Sequence, residues 1–576
     1  MKYTNEKNIL ILISLLKQHG VRNIIASPGT TNISFVASVQ SDPFFNVISC
    51  VDERSAAYMA CGMAAEAGEP VVLTCTGATA SRNYAPGLTE AYYRKLPVIA
   101  VTATQHLGRV GQNAPQVIDR SQQFADMVKK SIQLLEVHTK EDEWACNLAV
   151  NDIILESKRR GGGPVHINMV TTYSNDFTVR ELLAERKIER LTILDDMPEI
   201  KESSVAVFIG NHLRFSENLT NRIEEFCEKY NGVVLCDHTS GYHGKYRILP
   251  NLITEQPTAQ GFKDIELLID LGNVSGIYAD LKPRQVWRVS EDGDIKDTFK
   301  TMSKVFEMDE GVFFEKMNES RTIKSDMSYY DSWIEKYNDL EKKIGRIDLP
   351  FSNPWIARQV APRLKDGDKA HLAILNTLRS WNLCDVKTDV DFYSNTGGFG
   401  IDGIMSTALG DSLATDKMVY CFIGDLAFFY DLNSIGNRNV KNNLRILLVN
   451  NGCGTEFHNF NHRAVTVSKE NNLSSEFFAA DGHYGNMSKD LVKHYAEDLG
   501  FEYVFATNKQ EFLKNLDKFT VEKNNRPIIF EVFTDPKDES DAIEMVYNLD
   551  RDAKSVAKKL LGSKGKRVVK KILRKS

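Results

Sequence analysis

The pattern of apolar and polar positions in the first 180 residues alternates between short apolar runs and helix-like stretches. Three of the runs begin apolar and end in small polar residues: VRNIIASPGT (21–30), PVVLTCTGAT (70–79) and LPVIAVTATQ (96–105). A stretch between two of them has the length and the small apolar side chains of a packed helix: RSAAYMACGMAAEAG (54–68). Alternating strands and helices are typical of an α/β domain with a parallel sheet.

The same rhythm recurs in two later parts of the chain. The second part contains the strand-like runs SVAVFIGNH (204–212), GVVLCD (232–237) and DIELLIDLGN (264–273). The third part contains MVYCFIGD (418–425), LRILLVNNG (444–452) and RPIIFEVF (526–533). We therefore predict three doubly wound, parallel-sheet α/β domains, at residues 1–185, 200–345 and 350–540, with a polar linker at 189–203.

Composition is that of a globular protein. The chain has 576 residues, of which 42% are hydrophobic and 26% charged, and its nine cysteines are scattered without a CxxC pair. Scattered cysteines favour a reducing compartment. Because no apolar run is long enough to span a bilayer and the N-terminus lacks the pattern of a signal peptide, we expect a cytoplasmic protein. We expect no nucleic-acid partner.

Charge is distributed unevenly along the chain. Residues 551–576 hold eleven Lys or Arg and one Asp, a net charge of +10. Since the whole chain carries −6, residues 1–550 carry −16. This basic C-terminal tail is either a solvated extension or an amphipathic helix that rests on an anionic membrane surface or an acidic partner. In the second case the protein is peripheral to the membrane.

An acid and an amide follow two consecutive apolar runs in the third part. Asp425 comes directly after residues 418–423, and Asn451 follows residues 444–449, with a helix-sized segment between. Ligands of parallel α/β sheets bind beyond the carboxyl ends of the strands. Carboxylate and amide oxygens suit Mg²⁺ or Ca²⁺. The alternative is that these residues only form turns after the strands.

The spacing of this pair resembles the diphosphate-anchoring motif of thiamin-diphosphate enzymes. Three further segments resemble one branch of that family, the menaquinone-pathway 2-succinyl-5-enolpyruvyl-6-hydroxy-3-cyclohexene-1-carboxylate synthases: GDLAFFYDLN (424–433), YSNTGGFGIDGIMSTALG (393–410) and GPVHIN (163–168). The resemblance implies a pyrimidine-binding first domain, a central domain and a diphosphate-binding third domain. It also implies a homodimer or homotetramer, with the active site between the first domain of one subunit and the third of another.

The implied cofactors are thiamin diphosphate and Mg²⁺ or another divalent cation. By resemblance, Asp425, Asn451 and the main-chain carbonyl of Cys453 hold the metal. Gly424 and Leu426 complete the motif, and Leu426 stands where most of the family has Gly but this branch has Leu.

The same resemblance assigns the remaining site residues. Glu53 is the catalytic acid beside the aminopyrimidine ring; an ordinary helix-start acid is the alternative, which Asp52 fits better. Asn113 and Gln116 offer amides to the reacting carbonyl. The other expected cofactor-binding residues are Gly77, Thr377, Gly400, Ile401 and Phe457. Three histidines follow the metal motif, either on a flexible flap or in an acid–base role: His458, His462 and His483.

Three positions depart from the synthase branch, which uses arginines to clamp the carboxylates of its substrates. The arginine positions of the branch correspond here to Thr31, Thr396 and Trp381, although Arg379 is close enough to Trp381 for an error of register. Arg82 or Arg109 could compensate for one loss, but several losses argue against isochorismate as the acceptor.

We therefore expect a thiamin-diphosphate-dependent 2-oxo acid decarboxylase or carboligase, a transferase or lyase. It would transfer an acyl anion equivalent to an acceptor, for which a carbonyl-bearing sugar or sugar nucleotide is the hypothesis. A true synthase acting on isochorismate and 2-oxoglutarate is one alternative. An acetolactate-synthase-like flavoenzyme and a non-catalytic scaffold with a binding tail are the others.

Overall fold

A computed structural model of the chain describes residues 1–276, 280–483 and 485–551. These residues form two compact units, one made of Met1–Thr192 with Gly293–Glu307, the other of Ile193–Asp292 with the chain from Met308 onward. The predicted basic tail lies almost wholly outside the described residues. The three predicted domain boundaries stay predictions.

The first unit contains a six-stranded parallel sheet in the order β2-β1-β3-β4-β6-β5. Its strands are β1 (Asn23–Ala26), β2 (Asn46–Ser49), β3 (Val71–Cys75), β4 (Val98–Thr104), β5 (Lys130–Leu134) and β6 (Val165–Val170). Its helices are α1 (Lys7–Gln18), α2 (Ile33–Gln40), α3 (Glu53–Ala67), α4 (Ala78–Asn83), α5 (Ala85–Tyr93) and α6 (Lys140–Lys158).

Successive residues of these strands face opposite sides of the sheet, and both sides are covered. Ile24 and Val72 belong to one apolar core with α1 and α6. Ile25 and Leu73 belong to a second core with α3 and α5. A strand buried on both faces is apolar throughout rather than alternating, as the runs at 71–75 and 98–104 are. This is the doubly wound arrangement that the sequence predicts.

The middle of the chain forms seven strands: β7 (Glu189–Thr192), β8 (Val205–Ile209), β9 (Gly232–Cys236), β10 (Arg247–Ile248), β11 (Asp264–Leu271), β12 (Lys282–Ser290) and β13 (Met302–Glu307). In the second unit, five of them form a parallel array in the order β10-β9-β8-β11-β12. The helices of this part are α7 (Glu217–Tyr230), α8 (Asn251–Thr254), α9 (Gln260–Lys263), α10 (Glu310–Glu319) and α11 (Ser328–Ile344).

The predicted linker at 189–203 is wrong at its start. Residues Glu189–Thr192 form β7, which pairs in parallel with β13 inside the first unit. The Lys304 ammonium lies 2.6 Å from the Glu189 carboxylate on the paired strand. Residues 189–192 are charged and polar, as strands at the edge of a sheet often are, and they therefore resemble a linker. Their pairing partner lies more than a hundred residues later in the chain, so the local sequence does not reveal the pairing.

The last part of the second unit holds another six-stranded parallel sheet, in the order β15-β14-β16-β17-β19-β18. Its strands are β14 (Lys369–Leu372), β15 (Asp391–Tyr393), β16 (Val419–Gly424), β17 (Leu444–Asn450), β18 (Glu502–Ala506) and β19 (Ile528–Phe533). Its helices are α12 (Asn353–Val360), α13 (Asn376–Trp381), α14 (Ile404–Ala414), α15 (Asp425–Tyr430), α16 (Arg463–Asn471), α17 (Leu491–Asp498), α18 (Lys509–Phe519) and α19 (Pro536–Tyr547).

The first and the last sheets have the same strand order when each is numbered from its own first strand. With the central array, they give three parallel α/β sheets, which confirms the predicted fold class. Short 3-10 turns connect the elements at Leu107–Arg109, Arg159–Gly161, His238–Ser240, Ala361–Arg363, Leu432–Gly436 and Thr455–His458. Within the described ranges, every helix is too short or too polar to cross a membrane.

Candidate active site

The acid and the amide that follow β16 and β17 lie at one edge of the last sheet. The two strands are direct neighbours in parallel register, with Gly424 opposite Val449. Asp425 is the first residue of α15 and is buried. Its carboxylate accepts hydrogen bonds from the Leu426 amide at 2.8 Å and from the Gly452 amide at 2.6 Å. The Asp425 carboxylate therefore holds the ends of both strands together.

The predicted ligands after β17 belong to one tight turn. The Asn451 side-chain oxygen accepts a bond from the Cys453 amide at 3.4 Å, and the Cys453 carbonyl accepts one from Thr455 at 3.0 Å. Gly452 adopts a φ of +77°, which favours glycine. A carboxylate, an amide oxygen and a main-chain carbonyl thus come from two adjacent strand ends.

This oxygen-rich corner fits a divalent cation. Burial raises the pKa of Asp425, so the ionised carboxylate is disfavoured without a cation. The nearest basic side chain is His483, whose Nε2 lies 3.9 Å from the Asp425 carboxylate. That nitrogen is buried without a hydrogen-bond partner among the described residues. A hard cation with oxygen ligands would neutralise the carboxylate.

A second buried carboxylate, that of Glu531, stabilises the end of β17, and the sequence analysis did not identify it. Glu531 accepts hydrogen bonds from the Asn450 side chain at 2.6 Å and from the Tyr503 hydroxyl at 2.7 Å. Burial raises its pKa. The available signal was a lone acid inside the apolar run IIFEVF of β19. Its bond to Asn450 fixes the residue that precedes Asn451.

In the first unit, Glu53 begins α3 directly after a strand, as predicted. Asp52 caps the helix by accepting a bond from the Arg54 amide, which is the role expected of a helix-start acid. Glu53 is half-buried, and its carboxylate accepts a bond from the Asn83 side chain at 3.3 Å. Glu53 is therefore free of the capping role and is oriented by α4.

The structure brings Gly77 and Gln116 together. A Cβ atom on Gly77 would lie 2.5 Å from the Gln116 carbonyl oxygen, so only glycine allows this approach. Gln116 and Asn113 both have positive φ angles, +63° and +55°, and both are exposed. Two strained, non-glycine residues in one loop mark a conformation that the surrounding fold imposes.

The remaining predicted residues lie in the last α/β part. Thr377 is buried on α13, and the half-buried Ile401 packs against the apolar core of the sheet. Gly400 directly precedes Ile401, and Leu426 follows Asp425 on α15. Phe457 contacts the His462 ring at a centroid distance of 5.3 Å.

Comparisons with known proteins agree with the resemblance to thiamin-diphosphate enzymes that the sequence motifs indicate. Residues 10–123 match the family described as "Thiamine pyrophosphate enzyme, N-terminal TPP binding domain". A protein of Phocaeicola vulgatus is 32% identical over 95% of this chain and 99% of its own length. A protein of Bacteroides thetaiotaomicron is 30% identical with the same coverage, and one of Flavobacterium johnsoniae is 28% identical over 93% of this chain and 97% of its own. All three are named 2-succinyl-5-enolpyruvyl-6-hydroxy-3-cyclohexene-1-carboxylate synthase.

The chain belongs to the thiamin-diphosphate enzyme family. It is an enzyme that forms a carbon–carbon bond or decarboxylates its substrate. Its cofactor is thiamin diphosphate, which is normally bound with a divalent metal such as Mg²⁺. The family assignment favours an enzyme over the non-catalytic scaffold.

The structure places the three residues that the sequence analysis matched to arginines of the synthase branch, Thr31, Thr396 and Trp381, in defined surroundings. Trp381 is buried against Phe422 and Phe392, with ring centroids 4.4 and 5.7 Å away. Thr396 is also buried. Arg379 does not point into solvent as a free clamp, because its guanidinium binds the Glu456 carboxylate through both Nη atoms, one of them at 2.8 Å. The positive charge of Arg379 is therefore neutralised by Glu456 of the same chain.

Thr31, the third of these positions, lies in the first unit. It lies beside Arg120, which the sequence analysis did not identify. The Thr31 hydroxyl bonds to the Thr76 hydroxyl at 2.5 Å and to the Ala103 carbonyl at 3.4 Å. Arg120 donates to the same Ala103 carbonyl at 2.8 Å, and burial lowers its pKa to about 10. Arg120 forms no ion pair with any residue that the structure describes. A cation from another part of the sequence therefore lies next to Thr31.

The arginines proposed as replacements have other contacts. Arg82 donates to the Asp119 carbonyl at 3.0 Å, and Arg109 donates to the Gln105 side chain.

The three histidines that follow the metal motif have different contacts. His458 bonds to Asp481 at 2.6 Å, His462 caps α16, and His483 faces Asp425. His458 has the carboxylate partner that orients a general acid or base.

We predict that Arg379→Met lowers the free energy of unfolding by about 2 kcal/mol, because it leaves the Glu456 carboxylate without its cation. This value lies between those of exposed ion pairs and of buried ion pairs. Thermal unfolding followed by circular dichroism measures the loss. The double variant Arg379→Met/Glu456→Leu should recover most of it. Arg94→Met removes an exposed arginine, paired with Glu90 at 3.5 Å, and serves as the control. Equal losses in all three variants would contradict a matched pair at Arg379.

Proposed function

We propose that this protein is a 2-oxo acid decarboxylase and carboligase that transfers an acyl anion equivalent to an acceptor other than isochorismate. A carbonyl-bearing sugar or sugar nucleotide is the acceptor we favour. The observation that carries the proposal concerns two of the three clamp positions: Trp381 and Thr396 are buried and neutral, and Arg379, close to Trp381 in the sequence, is paired with Glu456. An acceptor with several carboxylates would lack its counter-charges there.

In this proposal Asp425, Asn451 and the Cys453 carbonyl hold the divalent metal, and the backbone around Gly424 and Leu426 borders the diphosphate. The residues that line the rest of the cofactor are Gly77, Thr377, Gly400, Ile401 and Phe457. When bound, thiamin diphosphate supplies the carbon nucleophile and the electron sink for decarboxylation. The protein's contribution is to position the reactants and to exclude water.

With thiamin diphosphate bound, the Glu53 carboxyl would hydrogen-bond the aminopyrimidine ring and exchange a proton with it, in an orientation supported by Asn83. The Asn113 and Gln116 amides donate hydrogen bonds to the carbonyl oxygen of the substrate, where negative charge develops. The strained loop conformation of these two residues supports this role, because strain is retained where a fixed geometry is needed.

The second candidate is the activity after which the relatives are named, with isochorismate and 2-oxoglutarate as substrates. The identity of 32% over nearly the whole chain favours it. The buried cation of Arg120, next to Thr31, could supply part of the positive potential that the missing arginines gave.

A product screen separates the two candidates. Purified enzyme with thiamin diphosphate and Mg²⁺ would be given pyruvate or 2-oxoglutarate, each with isochorismate or with a panel of aldehyde and keto sugars and their nucleotides. We expect decarboxylation of a 2-oxo acid and a ligation product with a sugar-type acceptor, detected by mass spectrometry. A product from isochorismate and 2-oxoglutarate at comparable efficiency would replace our proposal by the second candidate.

We predict that Asp425→Ala abolishes metal-dependent binding of thiamin diphosphate, because it removes the carboxylate that holds both strand ends. Calorimetry with Mg²⁺ and with EDTA measures the binding. Asp431→Ala is the control, since Asp431 follows α15 and contacts Ser406 on another helix. Full-affinity binding by Asp425→Ala would show that the metal lies elsewhere.

We predict that Glu53→Gln retains cofactor binding but slows exchange of the cofactor C2 proton by about 10²–10⁴-fold, the usual value of general acid–base assistance. Glutamine is nearly isosteric but cannot hold the shared proton. Exchange is followed by proton NMR in deuterated water. The neighbouring Asp52→Asn is the control, because Asp52 caps α3 and should affect stability rather than exchange. Unchanged exchange in Glu53→Gln would assign the activation to another residue.

A further inference from the structure

A cavity of about 330 Å³ lies in the second unit. We name it the inner cavity, and its polar lining residues are Asn251, Glu255, Arg379, Glu456, Asn459, Asn461 and Tyr547. Three lining residues precede predicted cofactor-binding positions by one or two residues: Leu375 before Thr377, Phe399 before Gly400, and Glu456 before Phe457. Three separate segments of the predicted cofactor site therefore also contribute to the inner cavity.

Two side chains that line the inner cavity have an oxygen acceptor without a donor among the described residues. The side-chain oxygens of Asn251 and Asn459 are buried without a partner among the described residues, and the two side chains belong to residues only 5% and 3% exposed. The orientation of Asn459 is fixed, because its amide nitrogen donates to Asn376 at 2.9 Å and to Glu456 at 3.3 Å. Leaving a buried acceptor unpaired is costly, so these oxygens call for a ligand that donates hydrogen bonds.

The charges of the inner cavity exclude an anionic group. Arg379 is matched by the two oxygens of Glu456, which leaves the Glu255 carboxyl as the additional charged group. Burial raises the pKa of Glu255, while Lys263 and Arg379 act against the rise. A carboxylate or phosphate in this space would meet an acid and two unpaired oxygens. Neutral hydroxyl groups would satisfy all three.

A second cavity, of about 340 Å³, shares Glu255, Asn461 and Tyr547 with the inner cavity. We name it the outer cavity. It differs from the inner cavity in that Lys263 and Arg551 add two cations to the shared Glu255 carboxyl. The Lys263 ammonium lies 3.3 Å from Asp280, whose side chain is 65% exposed and screened by water. The outer cavity also contains an aromatic ring, Phe460.

We propose that the two cavities together bind a sugar linked to a nucleoside diphosphate, with the hydroxyl-rich sugar in the inner cavity and the diphosphate against Lys263 and Arg551 in the outer cavity. The assignment rests on the proposed function, which supplies the reacting carbon beside the inner cavity, and it specifies the acceptor class. The Phe460 ring offers a stacking surface to the base. The two cavities share a border at Glu255, Asn461 and Tyr547, so one ligand spans both, with its neutral sugar next to its anionic diphosphate.

Binding is tested on the holoenzyme, with thiamin diphosphate and Mg²⁺ present so that the cofactor's own diphosphate site is filled. The probes are UDP-glucose, dTDP-glucose, CDP-glucose and GDP-mannose, followed by calorimetry and saturation-transfer NMR. We expect at least one to bind, and its matching nucleoside diphosphate to bind more weakly. The best probe and its nucleoside diphosphate are then compared in variants.

Lys263→Gln should weaken the sugar nucleotide and the nucleoside diphosphate alike, by about ten-fold, the value of one charge-assisted hydrogen bond. Asn251→Ala should weaken only the sugar nucleotide, because the inner cavity contacts the sugar. Lys282→Gln is the matched control: Lys282 lies 3.8 Å from the same Asp280 but outside both cavities. Thermal unfolding of each variant checks that the fold is retained.

The inference is overturned if none of the four probes binds at millimolar concentration, if Lys282→Gln weakens binding as much as Lys263→Gln, or if Asn251→Ala affects both ligands equally. Its failure is distinguishable from failure of the proposed function. Decarboxylation of a 2-oxo acid without sugar-nucleotide binding would overturn the inference alone. Sugar-nucleotide binding without decarboxylation or C2-proton exchange would overturn the proposed function and leave the binding site.

Discussion

The hydrogen bond from the Gly452 amide to the Asp425 carboxylate joins the ends of two neighbouring strands, β16 and β17. The turn that follows β17 takes its position from this bond, and with it the Asn451 side chain and the Cys453 carbonyl. The bond is short because the carboxylate is buried and an anionic acceptor strengthens it. Below it, Glu531 fixes Asn450. Asp425 therefore orients the turn directly, and Glu531 orients the residue before Asn451.

A buried carboxylate is unfavourable in the absence of a cation, and the corner around Asp425 contains three groups that reflect this. Burial raises the pKa of both Asp425 and Glu531, and the His483 nitrogen facing Asp425 has no hydrogen-bond partner within the described chain. A divalent metal would neutralise the buried Asp425 carboxylate and would thereby stabilise the residues around it. Under the proposed metal assignment, cofactor binding and local order would be coupled, since the same ion would anchor the diphosphate and neutralise the acid.

Away from the metal corner, the charges beside the predicted clamp positions are arranged differently in the two units. The Arg379 guanidinium on α13 is matched by Glu456, and the cavity beside it is lined by Asn251 and Asn459, whose side-chain oxygens have no hydrogen-bond partner among the described residues. In the first unit, Arg120 places a cation next to Thr31 from a different point of the sequence. Under the proposed function, this distribution of charge would decide which substrate can be desolvated at the site, because an unmatched buried charge costs several kcal/mol.

The sequence by itself determined the local features: the doubly wound strands, whose two-sided burial makes them apolar throughout, and the pair Asp425 and Asn451, whose places follow directly from strand ends. Resemblance supplied the cofactor, because several motifs occur in order. Only the tertiary structure decided what depends on distant partners. It showed that the first and last sheets share one strand order without a sequence repeat, that residues 189–192 pair with β13, and that Arg379 is bound to Glu456. Such pairings join residues far apart in the chain, and local periodicity carries no information about them.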